Sequence, residues 1–223
     1  MKFSPSNKLW FHFWMRLANV RGFETVARRV ACWLAPPFYG RVFLATFGPG
    51  GFVSPSATVW HQKLETDRGV YIDDRVLIYQ DEGGGPVRLE KRVQIFRDCI
   101  IQTGLGGSVN VGAGTTVQPR CQFSAYMSPI HIGEDVQIAP NCAFYSYDHT
   151  FSPGEIIKKQ PLQSKGGIVV EDDVWLGVGT IVLDGVRIGK GAVVGAGSVV
   201  TQNLPDGSIA VGSPARLLKM RGA

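Results

Sequence analysis

An all-β fold wound as a parallel β-helix is predicted for this chain of 223 residues, on three observations. The first is a spacing of six between Ile168 and Thr201. Val170, Leu176, Val182, Ile188, Val194 and Val200 recur at that interval, and each is followed four places later by a small or branched residue: Val174, Thr180, Val186, Ala192, Ser198 and Leu204. The second is the return of the interval in earlier triplets, Ile132, Ile138 and Phe144, then Val111, Val117 and Phe123, then Leu89, Ile95 and Ile101, and in the pair Ile72 and Ile78. The third is composition: 28 glycines and 13 prolines, without a collagen triplet or low-complexity run, suit a chain built of many corners. A strand alternates in twos and a helix repeats near 3.6, so a sustained six belongs to neither alone, and a β-sandwich would alternate in twos. Three rungs close one coil, and coils stack about 4.8 Å apart with hydrogen bonds along the stack. Gly177, Gly189 and Gly195 directly follow their rungs, where a corner is expected to need a permissive backbone.

The N-terminal segment, residues 1–53, reads differently. Lys8 to Ala18 sets Leu9, Trp10, Phe11, Phe13, Trp14 and Leu17 among Lys8, His12 and Arg16, and Phe23 to Ala35 forms a second helical stretch ended by Pro36 and Pro37. Seven basic residues (Lys2, Lys8, Arg16, Arg21, Arg28, Arg29 and Arg41) face one acid, Glu24, so the segment outweighs the +5 of the whole chain. The excess charge therefore belongs to these helices and not to a nucleic-acid groove along the repeat. Two readings stand side by side: helices that cap the open end of the solenoid, and a basic, aromatic surface for an anionic membrane or a lipid-linked substrate. No window carries the eighteen or so apolar residues of a spanning helix. Cys32, Cys99, Cys121 and Cys142 form no metal-ligand spacing, and the last three occupy the small slot four after a rung, so neither a metal nor a disulfide is expected. A reducing, cytoplasmic setting follows as the default, possible contact with the inner face of the membrane included.

The repeat unit, residues 54–210, is broken twice. Asp81 to Pro86 is a short glycine-rich excursion that reads as a plain loop. The longer break, 145–167, opens with Tyr145, Tyr147, Asp148 and His149, and a long loop on a regular scaffold is usually functional. Among His12, His61, His131 and His149, only His149 opens a loop. Its imidazole suits a general base that takes a proton from an attacking hydroxyl.

I-A-P-N at Ile138 to Asn141, a histidine eight residues on, the loop, V-W-L-G at Val174 to Gly177, V-R-I-G at Val186 to Gly189, V-V-G-A-G-S-V-V-T at Val193 to Thr201 and V-G-S-P-A-R at Val211 to Arg216 resemble the hexapeptide-repeat acyltransferases, most of all the sugar and polysaccharide O-acetyltransferases. The resemblance runs from about Val70 to Lys219. It implies a left-handed coil, with a short helical segment before it and a coenzyme-contacting tail, 211–223, after it. It further implies acetyl-CoA as co-substrate, transfer to a sugar hydroxyl of a glycan or lipid-linked precursor, no metal, and a homotrimer with sites between subunits. His149 is the implied base, the backbone N–H of Val178 or Gly179 the oxyanion donor, and Trp175, Gly177, Ala196, Gly197, Thr201, Gln202, Arg216 and Lys219 the coenzyme contacts. Some relatives carry a serine where Val178 stands and a lysine where Gln202 stands, so those side-chain contributions are missing here. Asp148 is a candidate acceptor contact. Serine, amino-sugar and antibiotic acetylation remain open on the same scaffold, as does a non-catalytic scaffold subunit, whereas a three-histidine metal enzyme lacks its ligands.

Overall fold

The computed structural model describes residues 3–37 and 39–222; Lys2, counted in the N-terminal charge, lies outside them. From Phe52 onward the chain winds a left-handed parallel β-helix of triangular section. Among the described residues the strands line up as a first face of nine strands, a second of seven and a third of six, and the chain visits the faces in that order in every coil. Register follows the interval of six: Ile138 pairs with Val117 below and Leu176 above, Phe144 with Phe123 and Val182, and Ile132 with Val111 and Val170. These side chains point inward and are all 0–1% exposed, so the core is a continuous column. The rings of Phe123 and Phe144 stack at 4.6 Å, the spacing of one coil.

The corners correct one expectation. Gly177, Gly189 and Gly195 do not have positive φ; the left-handed residue comes two places later, at Gly179 and Gly197, and in other coils it is Arg75, Asp98, Arg120, Asn141 or Asp173. What the slot of Gly177 requires is room, because a Cβ there would lie 2.5 Å from the Ala196 nitrogen of the next coil. At Gly197, by contrast, a Cβ would meet nothing and only the backbone angle is costly. Gly177→Ala is therefore expected to lower unfolding stability in denaturant by about 1–3 kcal/mol through overpacking, and Gly197→Ala by about 1–2 kcal/mol through strain. If Gly177→Ala unfolds at the wild-type midpoint, the close-approach account of that slot is wrong.

The excursion at 81–86 is more than a plain loop. It stacks on a second excursion in the coil above, with Gly85 N–H donating to Gly107 O at 2.8 Å and Leu105 N–H to Glu82 O at 2.9 Å, and Met127 N–H continues the stack to Gly104 O at 3.3 Å.

The two longest of the helices described before the coils are α1 (Pro5–Leu17) and α2 (Glu24–Ala31). Ser4 caps α1 by accepting from Asn7 N–H, and Pro5 stands in the first turn, where its missing N–H costs nothing. The buried residues Phe11, Met15, Ala31, Leu44 and Ala45 form a second core with Phe52, Tyr71 and Phe96. Those three aromatics lie beside the inward rungs Val53, Ile72 and Ile95 and face outward on the first face, so the helices dock chiefly on the side of the solenoid and leave its open end incompletely covered, with Val59 40% exposed. The C-terminal segment also differs from a free tail: Arg216–Met220 turns back and pairs antiparallel with Ser208–Val211 as the ninth strand of the first face, and Arg221 ties it down through Asp173 at 3.0 Å.

Candidate active site

The loop after Ala143–Tyr145 leaves at the corner between the second and third faces. Its first turn is fastened by Ser146, whose hydroxyl donates to Ser128 O at 2.8 Å, and by a two-residue ladder in which Asp148 pairs with Gln163 and His149 with Leu162. Gln160 knots the tip: its Oε1 accepts from Ser152 N–H at 2.7 Å and its Nε2 donates to Ser152 O and Glu155 O at 3.0 Å. The returning leg is held by Asp184, a buried carboxylate that accepts from Ser164 Oγ at 3.0 Å, Gly167 N–H at 2.9 Å and the N–H of Lys165. Asp148 faces Lys165 Nζ at 3.6 Å. These contacts set His149 on a braced hairpin with its side chain exposed.

The other candidates gather at the corner between the first and second faces. Gly177, Val178 and Gly179 turn that corner, Ala196 and Gly197 turn it one coil above, and the coils are linked by Gly197 N–H to Val178 O at 2.8 Å. Gly179 is corrected as an oxyanion donor: its N–H is already given to Pro140 O in the coil below, at 2.9 Å. Val178 N–H has no acceptor among the described residues, and its side chain is 48% exposed; Ala196 N–H, one coil above, is open in the same way. Trp175 stands exposed on the first face, in register with Val193, Ile209 and then Lys219 of the last strand, while Arg216 pairs with Val211 next to the same corner. Thr201 and Gln202 do not join this group. They follow the second-face strand Val199–Val200 and lie at the His149 corner, two coils higher.

The sequence-predicted residues thus gather in two clusters. One face separates them within a chain, about six extended residues or roughly 15–20 Å. Asp184, Ser164 and Gln160 escaped sequence reasoning because their partners lie across the loop and leave no periodic signal. His61 is structural: its Nδ1 accepts from Lys63 N–H at 3.1 Å, which leaves the proton on Nε2 facing Thr103 Oγ1 at 2.9 Å, and burial followed by the nearby Lys63 lowers its pKa. Among the described residues no three His, Cys, Asp or Glu side chains converge as a metal site, and no helix is long and apolar enough to cross a membrane.

A solenoid with a braced histidine hairpin at one corner and an open backbone donor beside small residues at another defines a class, the hexapeptide-repeat β-helix. The family model for bacterial transferase hexapeptide repeats matches residues 167–202. The chain is 48% identical over 66 residues to a galactoside O-acetyltransferase of Lactococcus lactis, covering 30% of this chain and 31% of the relative. It is 46% identical over 56 residues to a 2,3,4,5-tetrahydropyridine-2,6-dicarboxylate N-acetyltransferase of Staphylococcus aureus, covering 25% of this chain and 23% of the relative. The matched stretch therefore spans less than a third of these curated relatives. Among solved structures, the polySia-specific acetyltransferase NeuO superposes with a TM-score of 0.63 at 26% identity, over 70% of this chain and 66% of that one. AntD, an N-acyltransferase from Bacillus cereus, superposes at 0.61 and 22% identity over 72% and 83%, and shares the fold. Residues 167–202 are thus a hexapeptide repeat, and the β-helix fold is the one that the NeuO acetyltransferase shares.

Proposed function

We propose that the protein is an acetyl-CoA-dependent O-acetyltransferase that acts on a sugar hydroxyl of a glycan or its lipid-linked precursor. The braced hairpin that presents His149 carries this reading. His149 accepts the proton of the acceptor hydroxyl as its oxygen attacks the acyl carbonyl, the N–H of Val178 donates to the oxygen that becomes negative, and the imidazolium returns the proton to the departing thiolate. No serine or cysteine is set up as a nucleophile, so transfer is direct.

The first corner fits the coenzyme: small residues at Gly177, Ala196 and Gly197 let an extended arm lie close to backbone groups, and exposed Arg216 and Lys219 are available to phosphates. AntD supports this, since its structure was solved with coenzyme A. Because one chain holds the two half-sites a whole face apart, a closed three-fold assembly, in which His149 of one subunit meets Val178 of the next, completes the site. The similarity to a galactoside O-acetyltransferase and to NeuO favours a sugar hydroxyl, while the N-acetyltransferase relative makes an amine the second reading. The helical segment supports a position at the inner face of a membrane.

The test is acetyl transfer from isotopically labelled acetyl-CoA to a mixed panel of glycosides and amino sugars, with light scattering of the same protein. A label released by mild alkali marks an ester, and one retained marks an amide. Absence of transfer to any hydroxyl overturns the reading, and an active monomer overturns the shared site.

A further inference from the structure

The corner between the third and first faces changes sign along its length. Backbone hydrogen bonds from coil to coil fix its order: Arg92 N–H donates to Arg68 O at 3.1 Å, Gly114 N–H to Lys91 O at 2.9 Å, Asp135 N–H to Ala113 O at 2.9 Å and Asp173 N–H to Glu134 O at 3.0 Å. Arg68, Lys91, Ala113, Glu134 and Asp172 therefore stand in one column, and Gly69, Arg92, Gly114, Asp135 and Asp173 in the next. Bases hold the two lowest coils, the third is neutral, and acids hold the two above it.

Arg68, Lys91 and Arg92 line one surface hollow of about 430 Å³ together with Thr46 and Gly69. Among the described residues none of these three side chains has an ion pair or a hydrogen bond. Bases close by do: Arg88 is paired with Glu65 at 2.8 Å, and Lys190, higher on the same corner, with Asp172 at 3.3 Å. Asp67 and Glu90, the acids next to Arg68 and Lys91 in sequence, line a different hollow on the third face. The Arg92 stem lies over Gly69, where a Cβ would come 3.4 Å from Arg92 Cγ. Arg92 itself has φ 61°, a left-handed position that glycine holds in the coils directly below and above, so an arginine stands where glycine would be less strained. The remaining wall is the turn Phe43–Thr46, anchored by buried Leu44 and Ala45, with the Thr46 hydroxyl donating to Phe43 O at 2.8 Å.

Three like charges on corners about 4.8 Å apart repel one another, and an anion seated among them removes that repulsion. Two guanidinium forks and one compact ammonium suit the clustered oxygens and double charge of a phosphate ester better than a single carboxylate. In the three-fold assembly proposed above, the corners on either side of the second face meet neighbouring subunits, and this third corner points outward. It lies at the end of the solenoid that carries the helices, away from the His149 hairpin and from Gly177 and Ala196. We propose that this corner is a binding site for a doubly charged phosphate ester, held by Arg68, Lys91 and Arg92. The site is separate from the transfer chemistry and goes beyond it.

The experiment compares the full-length wild type with Arg68→Gln/Lys91→Gln/Arg92→Gln in two arms: calorimetric titration with pyrophosphate, and flotation with vesicles of phosphatidic acid against vesicles of phosphatidylglycerol at matched surface charge. Arg216→Gln/Lys219→Gln, which removes the bases proposed for the coenzyme, is the control. Melting curves check folding, and Arg68→Gln/Lys91→Gln, which leaves the left-handed Arg92 in place, is the second variant. The triple variant is expected to lose roughly tenfold or more in affinity, the second variant to lose part of that, and the control to stay near wild type. A loss seen with pyrophosphate alone makes the ligand a soluble ester, and a lost preference for phosphatidic acid makes it a lipid headgroup; either upholds the site. A triple variant equal to wild type in both arms, a wild type that binds neither probe, or a control that loses as much as the triple variant overturns it.

Discussion

Replacing His149 by alanine is expected to lower acetyl transfer by roughly 10²- to 10⁴-fold, the worth of a positioned general base, while coenzyme binding stays within a few-fold of wild type. The separation of the two readouts follows from geometry. His149 stands on the hairpin at one corner, and the groups proposed to hold the coenzyme, Gly177, Ala196 and Arg216, stand at another. No other histidine can substitute. His61 has its Nδ1 occupied by Lys63 N–H, His131 is on the third face between Asn110 and Val169, and His12 is on α1 against Phe47 at 4.6 Å. In the proposed mechanism the same imidazole both removes the hydroxyl proton and supplies one to the thiolate, so a loss confined to the acceptor KM is not expected. A variant that retains turnover within a few-fold of wild type would remove His149 from the mechanism.

The second large effect is expected at the N-terminus. The helix faces turned away from the solenoid carry Leu9 and Phe13 on α1 and Val26 on α2, with Trp33 just beyond; Leu9 and Trp33 are each 72% exposed. Lys8, Arg16 and Arg29 are exposed on the same sides. The opposite faces hold Phe11, Met15, Ala27 and Ala31 against the protein, so docking on the first face does not account for the outer apolar residues. Three basic side chains near an anionic surface contribute about 3 kcal/mol at about 1 kcal/mol each, close to a hundredfold in partition, and the buried rings add to that.

The protein should therefore bind vesicles of phosphatidylglycerol in phosphatidylcholine, more weakly as salt rises and the surface charge is screened. Leu9→Ser/Phe13→Ser/Val26→Ser/Trp33→Ser should release it at least a hundredfold without changing turnover of a soluble acceptor. Substitution is the right test because deleting the helices would uncover Phe52, Tyr71 and Phe96. Equal flotation with anionic and neutral vesicles at low salt would reduce the helices to a structural role.

The coil was legible because its physical cause is local and repeated. Each inward rung, from Ile72 to Val200, is buried for the same reason, and a sixfold recurrence of one burial requirement survives in the sequence as a period. The place of His149 on the loop was legible for a related reason: a period that stops marks where the scaffold is left. The distinction between two uses of glycine was not. Gly177 and Gly179 look alike in sequence, and only coil-to-coil contact shows that one yields space to Ala196 while the other supplies a left-handed angle. The proposed oxyanion donor was ambiguous in the same way, since whether Val178 or Gly179 keeps a free N–H depends on Pro140 O in another coil.

By itself, then, the sequence determined the repeat, the three rungs per coil, the inward residues, the helical character of the first segment and the residue types at the loop. Tertiary structure alone decided where the helices dock, that Asp184 closes the loop, that Thr201 and Gln202 part from Ala196 and Gly197, and that Arg68, Lys91 and Arg92 meet beside Thr46 at one corner. The physical reason is the pitch of the solenoid: residues eighteen or more apart become neighbours at one strand spacing, and that adjacency depends on how many residues each excursion inserts, which no single repeat records.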